Sequence, residues 1–167
     1  GFPNSGKSTL LSVISAAKPK IADYPFTTKT PVLGVATYKG KSFTVADLPG
    51  LIEGASQGIG LGLRFLKHVE KTRVFLHLID MSDTTHPDPV ASYRTIRQEL
   101  ETYNPDFLHR PELIILTKTD LPEVQEKLSD ISRRFKKSGK KVLSLSAARR
   151  EGIETVLRET QKLISAN

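Results

Sequence analysis

Apolar residues recur at helical spacing near the front of the chain, at Leu10, Val13, Ile14 and Ala17, and predict a helix over residues 7–17. Lys18-Pro19 ends it, because proline disfavours helical geometry in the residue before it. Residues 21–31 are polar, contain proline and several threonines, and read as a loop. Two β-rich runs, 32–38 and 42–47, flank Lys39-Gly40-Lys41 and predict a hairpin. Glycines at positions 50, 54, 58, 60 and 62 predict a mobile segment that leads into a helix over about 63–72.

Strands and helices then alternate. Residues 74–80, 113–117 and 142–145 are short, nearly continuous apolar runs, as strands buried on both faces require. Tyr93, Ile96, Leu100 and Tyr103 mark one helix face, and Val124, Leu128, Ile131 and Phe135 a second. A last helix carries Ile153, Val156, Leu157, Thr160 and Ile164. Pro122 suits a helix start, where its missing amide hydrogen would have no partner anyway. This order predicts an α/β domain, a mostly parallel sheet with helices on both faces.

Composition narrows the class. The 167 residues contain no cysteine, which excludes disulfides, zinc–thiolate sites and thiol nucleophiles. Apolar runs such as Leu113-Ile114-Ile115-Leu116 fall far short of the roughly 18 residues that cross a bilayer, and no membrane partner is expected. The opening residues lack a basic–apolar targeting layout. Lys and Arg number 25 against 18 Asp and Glu, a net charge of +7 that suits an anionic partner without identifying one.

The chemistry lies in four short stretches. Gly1-Phe2-Pro3-Asn4-Ser5-Gly6-Lys7-Ser8 fits G-x-x-x-x-G-K-[ST] in full. In that pattern glycines let backbone amides close around phosphate oxygens, the lysine reaches the terminal phosphates and the serine hydroxyl can ligate magnesium. The helix that follows aims its positive end at the same anions. A phosphate loop normally joins a strand to a helix and none precedes Gly1 here, so a P-loop fold over residues 1–167 is expected to lack its first central strand.

Asp47-Leu48-Pro49-Gly50 follows the second hairpin strand. A carboxylate at a strand end can hold magnesium through water, and the Gly50 amide can meet the terminal phosphate. Alone, the pattern fits a surface turn equally well; some forty residues after a phosphate loop it becomes specific. Thr117-Lys118-Thr119-Asp120 ends another strand. A carboxylate there can accept from N1 and the exocyclic amine of guanine, a donor pair that adenine lacks. Alone, Asp120 reads as a helix cap before Leu121-Pro122. Ser146-Ala147-Ala148 can offer backbone amides to the base oxygen, though by itself it is a turn of small residues.

In this order the boxes resemble those of the translation-factor-related GTPases. Asp23-Tyr24-Pro25-Phe26-Thr27-Thr28, then Leu51-Ile52-Glu53-Gly54-Ala55 after the Gly50 box, then Gly60-Leu61-Gly62 and Arg64-Phe65-Leu66-Lys67-His68, are similar to the Obg family. The likeness covers essentially the whole chain as that family's GTPase domain. It implies a GTP/GDP switch in large-ribosomal-subunit assembly, contacting the subunit and its rRNA as a cytoplasmic monomer. It also implies that residues 1–8 bind phosphates, that Ser8 and Thr28 with Asp47 hold Mg2+, and that Phe26, Thr27, Thr28, Lys29 and Thr30 form the first switch. Residues 47–50 would sense the terminal phosphate, and 117–120 with 146–148 would hold guanine. Lys7, Thr28, Gly50 and Asn4 would carry the catalysis.

Two departures matter. Thr117 replaces the usual asparagine, so weaker guanine affinity is expected with specificity retained. Leu51 occupies the position where many GTPases place a water-orienting glutamine, so slow intrinsic hydrolysis is expected. In relatives sharing G-x-P-N-x-G-K-S the asparagine helps bind K+, which makes Asn4 a candidate for that role and a plain turn former otherwise. Two rivals stand: a nucleotide-gated binding module with incidental turnover, and a P-loop ATPase or small-molecule kinase. His68, His77, His86 and His109 show no metal-ligand spacing and are read as structural or exposed. Arg133-Arg134-Phe135-Lys136-Lys137 with Lys140-Lys141 is the densest basic run, either a solvated face or a contact to RNA.

Overall fold

The protein is described by a computed structural model covering residues 1–21, 31–48, 70 and 72–166. The glycine-rich segment and the helix expected over 63–72 lie outside the described residues, apart from Glu70 and Thr72.

Gly6, in the left-handed region at φ 92°, turns the opening loop into helix α1 (Lys7–Ile14). The helix ends three residues before the predicted point. Ser15 becomes extended and bridges Ala36, and the Ala16 amide donates to the Val35 carbonyl at 2.8 Å. Sheet edge thus captures backbone that local pattern assigned to the helix. Strand β1 (Lys20–Ile21) corrects the loop reading at Ile21: it pairs antiparallel with β2 (Val32–Tyr38). Two residues are too few to show a period of two; the partner strand supplies the order.

Strand β3 (Lys41–Asp47) completes the expected hairpin. Tyr38 pairs with Lys41, so the turn is Lys39-Gly40 with φ 47° and 76°, the paired positive angles that match strand twist in two-residue hairpins.

The second sheet is parallel, in the order β4 (Phe75–Asp80), β5 (Glu112–Thr117), β6 (Val142–Leu145). Helix α2 (Pro89–Tyr103) starts from Asp88, whose carboxylate accepts from the Val90 amide. Pro122 opens α3 (Pro122–Lys137), as expected, and α4 is Ile153–Ala166. Alternate strand residues face opposite cores. Ile79, Ile114 and Leu116 pack with Val90 and Tyr93 of α2 and with Val124, Ile131 and Phe135 of α3. Leu78, Ile115, Leu143 and Leu145 pack with Leu10 and Ile14 of α1, Ala36 and Val156 of α4. Helices therefore cover both faces, as the runs predict.

Among the described residues the two sheets do not hydrogen-bond to each other. Between β3 and β4 lies a cavity of about 520 Å3, lined mainly by apolar groups including Leu10, Leu11, Val45, Leu76, Leu78 and Ile96.

Candidate functional site

The C-terminal ends of β3, β4, β5 and β6 meet the opening loop, where ligands of open α/β sheets gather. Loop residues 1–8 use two left-handed positions, Asn4 at φ 61° and Gly6 at φ 92°. A Cβ on Gly1 would strike the Leu78 carbonyl and Ser5, so this position needs a glycine. The Lys7 ammonium reaches back to the carbonyls of Gly1 and Phe2 at 2.9 and 2.8 Å, bracing the loop from inside.

Ser8 donates its hydroxyl to the Asp47 carboxylate at 2.7 Å, joining the first turn of α1 to the end of β3. Asp47 is buried, and among the described residues its second oxygen, Oδ1, has no partner. A buried, unsatisfied carboxylate oxygen is costly unless something completes it. Beside a serine hydroxyl, this hard-oxygen pair fits an oxygen-seeking divalent cation such as Mg2+, which characteristically takes few protein ligands and completes its shell with phosphate and water.

Thr117 is buried, and its hydroxyl faces the Ser5 carbonyl at 2.9 Å and the Ile79 carbonyl at 3.2 Å. It does not point into the site; it fastens β5 to the phosphate loop. Lys118, left-handed at φ 59°, places its ammonium 2.6 Å from Asp80 Oδ2. Asp80 Oδ1 accepts from the Ser82 amide and hydroxyl, both at 2.8 Å.

Asp120 does not cap α3. The N-cap residue is Leu121, without a side-chain cap bond. A hydrogen bond from the Ser146 hydroxyl instead holds the Asp120 carboxyl below its ordinary value, so it stands ionised beside the site. Ser146 is itself fixed: its amide and carbonyl exchange hydrogen bonds with Glu151 at 3.0 Å each, and its hydroxyl oxygen accepts from the Arg149 amide at 3.1 Å. Ala147 and Ala148 lie within that closed loop, and the Thr119 amide donates to Leu145 at 3.3 Å.

Residues 1–8, Asp47, Leu48, 117–120 and 146–148 are therefore drawn to one end of the sheets. Phe26, Thr27, Thr28, Lys29, Thr30, Pro49, Gly50 and Leu51 lie outside the described residues. Two neighbours escaped the sequence reading. Asp80 carried a weak signal, as an acid ending an apolar strand. His86 carried none, yet its ring stacks on Phe2 of the phosphate loop, centroids 4.2 Å apart and planes 6° apart, while Nδ1 lies 2.9 Å from Asp83. His77 is buried on β4, as a structural residue should be. Among the described residues no cluster of histidines and carboxylates could hold a metal alone, and no helix is long and apolar enough to cross a membrane.

Residues 1–118 match the family described as "50S ribosome-binding GTPase". The chain is 53% identical over 166 residues to GTPase Obg of Elusimicrobium minutum, covering 99% of this chain and 36% of that protein. It is 51% identical to GTPase Obg of Syntrophotalea carbinolica, covering 98% and 47%. The chain thus spans less than half the length of these relatives. Among solved structures, the G domain of the T. maritima FeoB iron transporter superposes with a TM-score of 0.69 at 22% identity, covering 97% of this chain and 93% of that one. A nucleolar GTP-binding protein 1 from Plasmodium falciparum gives 0.67 at 18%, covering 98% and 82%. At such identities these two establish the fold.

Proposed function

The chain belongs to the 50S ribosome-binding GTPase family, as a GTPase domain of the Obg type, and from that premise we propose that it binds GTP with Mg2+, hydrolyses it to GDP and phosphate, and thereby switches its hold on the large ribosomal subunit during assembly. What supports this reading is the Ser8–Asp47 contact, in which Asp47 Oδ1 has no partner among the described residues, an arrangement that suits a cation whose shell phosphates would complete.

Backbone amides of residues 1–8 and the Lys7 ammonium hold the phosphates; the ammonium exchanges its two carbonyl partners for phosphate oxygens as the nucleotide enters. Ser8, Thr28 and Asp47 hold Mg2+, which when bound offsets the charge of the phosphate oxygens. Asp120 accepts from guanine N1 and N2, Lys118 flanks the base, and the loop of Ser146, Ala147 and Ala148 faces the base oxygen. The first switch, residues 26–30, and the sensor formed by residues 47–50 respond to the terminal phosphate. Loss of that phosphate frees Thr28 and the Gly50 amide together, and affinity for the subunit follows the nucleotide.

Leu51 has no group to orient water, so intrinsic turnover is slow. Asn4, left-handed at φ 61°, is our candidate to help bind K+ beside the phosphates. Faster hydrolysis in potassium than in sodium buffer supports that role, and equal rates end it. The cavity between β3 and β4 supports seating a further strand there, bonding both facing edges. The protein works as a monomer in the cytoplasm, where its ribosomal partner lies.

Calorimetry with GTP and ATP in Mg2+ tests the nucleotide assignment. GTP should bind and ATP should be weaker by about 10^4-fold, since the wrong base leaves Asp120 unpaired. Absence of heat from GTP overturns the reading.

A further inference from the structure

Charge is sorted along α3. Glu123, Glu126 and Asp130 lie in its first nine residues with a single cation, Lys127, and Arg133, Arg134, Lys136 and Lys137 occupy its end. Cations near a helix C-terminus complement its dipole, and this alone would explain one or two. Further cations lie on the other side of β6, because α4 packs on the opposite face of the sheet from α3. Lys141 is exposed at the start of β6, and Arg158 and Lys162 follow on α4. Lys141, Arg158 and Lys162 all converge on one carboxylate, Glu159, at 3.6, 3.1 and 2.9 Å, and hold its pKa down to about 2. One acid among three cations leaves a surplus. Among the described residues Arg133 pairs with Asp130 alone, at 3.7 Å with both side chains well exposed, a pair that contributes little. Arg134 is committed elsewhere, to Asp88.

This surface lies at the pole opposite the nucleotide. α3 leaves the site at Pro122 and reaches Lys137 after 16 residues, about 24 Å along its axis. Its core side packs with Val142 of β6, the last strand of the parallel sheet. Among the described residues the exposed large apolar side chains, Ile21 and Val35, are elsewhere, so the described face lacks the apolar side chains that a membrane-surface helix inserts. It also lacks aromatic rings on which unpaired bases could stack. What remains is a lattice of point charges suited to phosphodiester groups.

We propose that Arg133, Lys136, Lys137, Lys141, Arg158 and Lys162 form a second contact with the large ribosomal subunit, gripping the phosphate backbone of its RNA without reading sequence and without regard to the bound nucleotide. This rests on the ribosomal reading above and adds to it a constant anchor at the end of the sheet away from Ser8 and Asp120. The anchor keeps the domain near the subunit while nucleotide state decides how the switch face engages.

The test is co-sedimentation of the full-length protein with purified large subunits, over 50 to 200 mM salt, with GDP and with a non-hydrolysable GTP analogue. Phosphate contacts release counterions, so R133Q/K136Q/K137Q/K141Q should weaken binding in both nucleotide states and lower the log–log salt slope by about three. Its GTP affinity by calorimetry should stay unchanged, and K136R/K137R/K141R should retain binding. A quadruple variant with wild-type affinity and slope overturns the proposal, as does a loss confined to the GTP state. Wild-type binding to phosphatidylserine vesicles that the quadruple variant loses would reassign the face to membranes and also overturn it. If the wild-type protein itself binds subunits in neither state, the ribosomal reading fails first, and this one with it.

Discussion

Thr117 and Ser5, 112 residues apart in the chain, are joined by one hydrogen bond of 2.9 Å from the threonine hydroxyl to the serine carbonyl. That bond ties the end of β5 to the loop that cradles phosphate. It also revises what the threonine does. The side chain is buried, and its short hydroxyl suffices to reach the loop.

Thr117→Val should therefore damage both ends of the site. The substitution keeps the shape and leaves the Ser5 carbonyl without its donor, at a cost of about 1–2 kcal/mol. Melting temperature should fall and the Kd for GTP should rise several-fold. Unchanged melting would show that the bond contributes nothing.

Asp120→Asn should exchange the preferred base. An amide offers one acceptor and one donor, which suit N1–H and the 2-oxo group of xanthine. Guanine, with two donors, would confront the new N–H group. GTP affinity should drop by about 10^3-fold or more, and XTP should bind in its place. Competition between labelled GTP and unlabelled XTP measures the change directly. A variant still preferring GTP would displace Asp120 from its assigned role.

Asp80→Asn should loosen Lys118 without touching the phosphates. The ion pair is at 2.6 Å, with Asp80 nearly buried and Lys118 more than one-third exposed, so solvent screens part of its strength. The Kd for GTP should rise about five- to tenfold, consistent with a charge-assisted bond of modest net strength. The single-turnover rate at saturating GTP should remain within about twofold, because in this role Asp80 acts on binding rather than on the reacting phosphate. A rate that collapses while Kd holds would contradict the positioning role.

His77 should make the fold sensitive to mild acid. Burial pushes its imidazole well below the ordinary value, with the Arg97 guanidinium adding to the effect. The folded protein keeps this ring neutral while the unfolded chain takes up a proton near pH 6.5, so stability falls as pH drops through that value. Between pH 7 and pH 5 the loss from this group should reach up to about 2 kcal/mol. Urea titrations at both pH values should show it, and His77→Gln should flatten the difference. An unflattened difference would place the acid sensitivity elsewhere.

The elements of the second half were legible because each carries its own pattern. β5 is a run of apolar residues flanked by polar ones, and α3 announces itself with Pro122 and apolar residues three and four apart. The front of the chain was harder. α1 yields to β2 at Ser15, and β1 exists only through its partner, because sheet hydrogen bonds come from residues distant in sequence. The site followed the same division. Gly6 and Lys7 are recognisable from spacing, since the loop is local. Asp80, and the stack of His86 on Phe2, depend on where β4 delivers the following loop.

By itself, then, the sequence marked a loop with the spacing we propose for phosphate, the strands that are buried on both faces, and the acid we propose for a purine. Those are local properties of side-chain size, charge and backbone freedom. Only the tertiary structure decided that the Thr117 hydroxyl reaches the Ser5 carbonyl, that Ser146 rather than a helix end is the partner of the Asp120 carboxyl, and that Asp47 Oδ1 has no partner among the described residues. These choices turn on partners tens of residues away. A hydrogen bond of under 3 Å is settled by the packing that brings its two ends together, and no neighbouring residue in the chain encodes it.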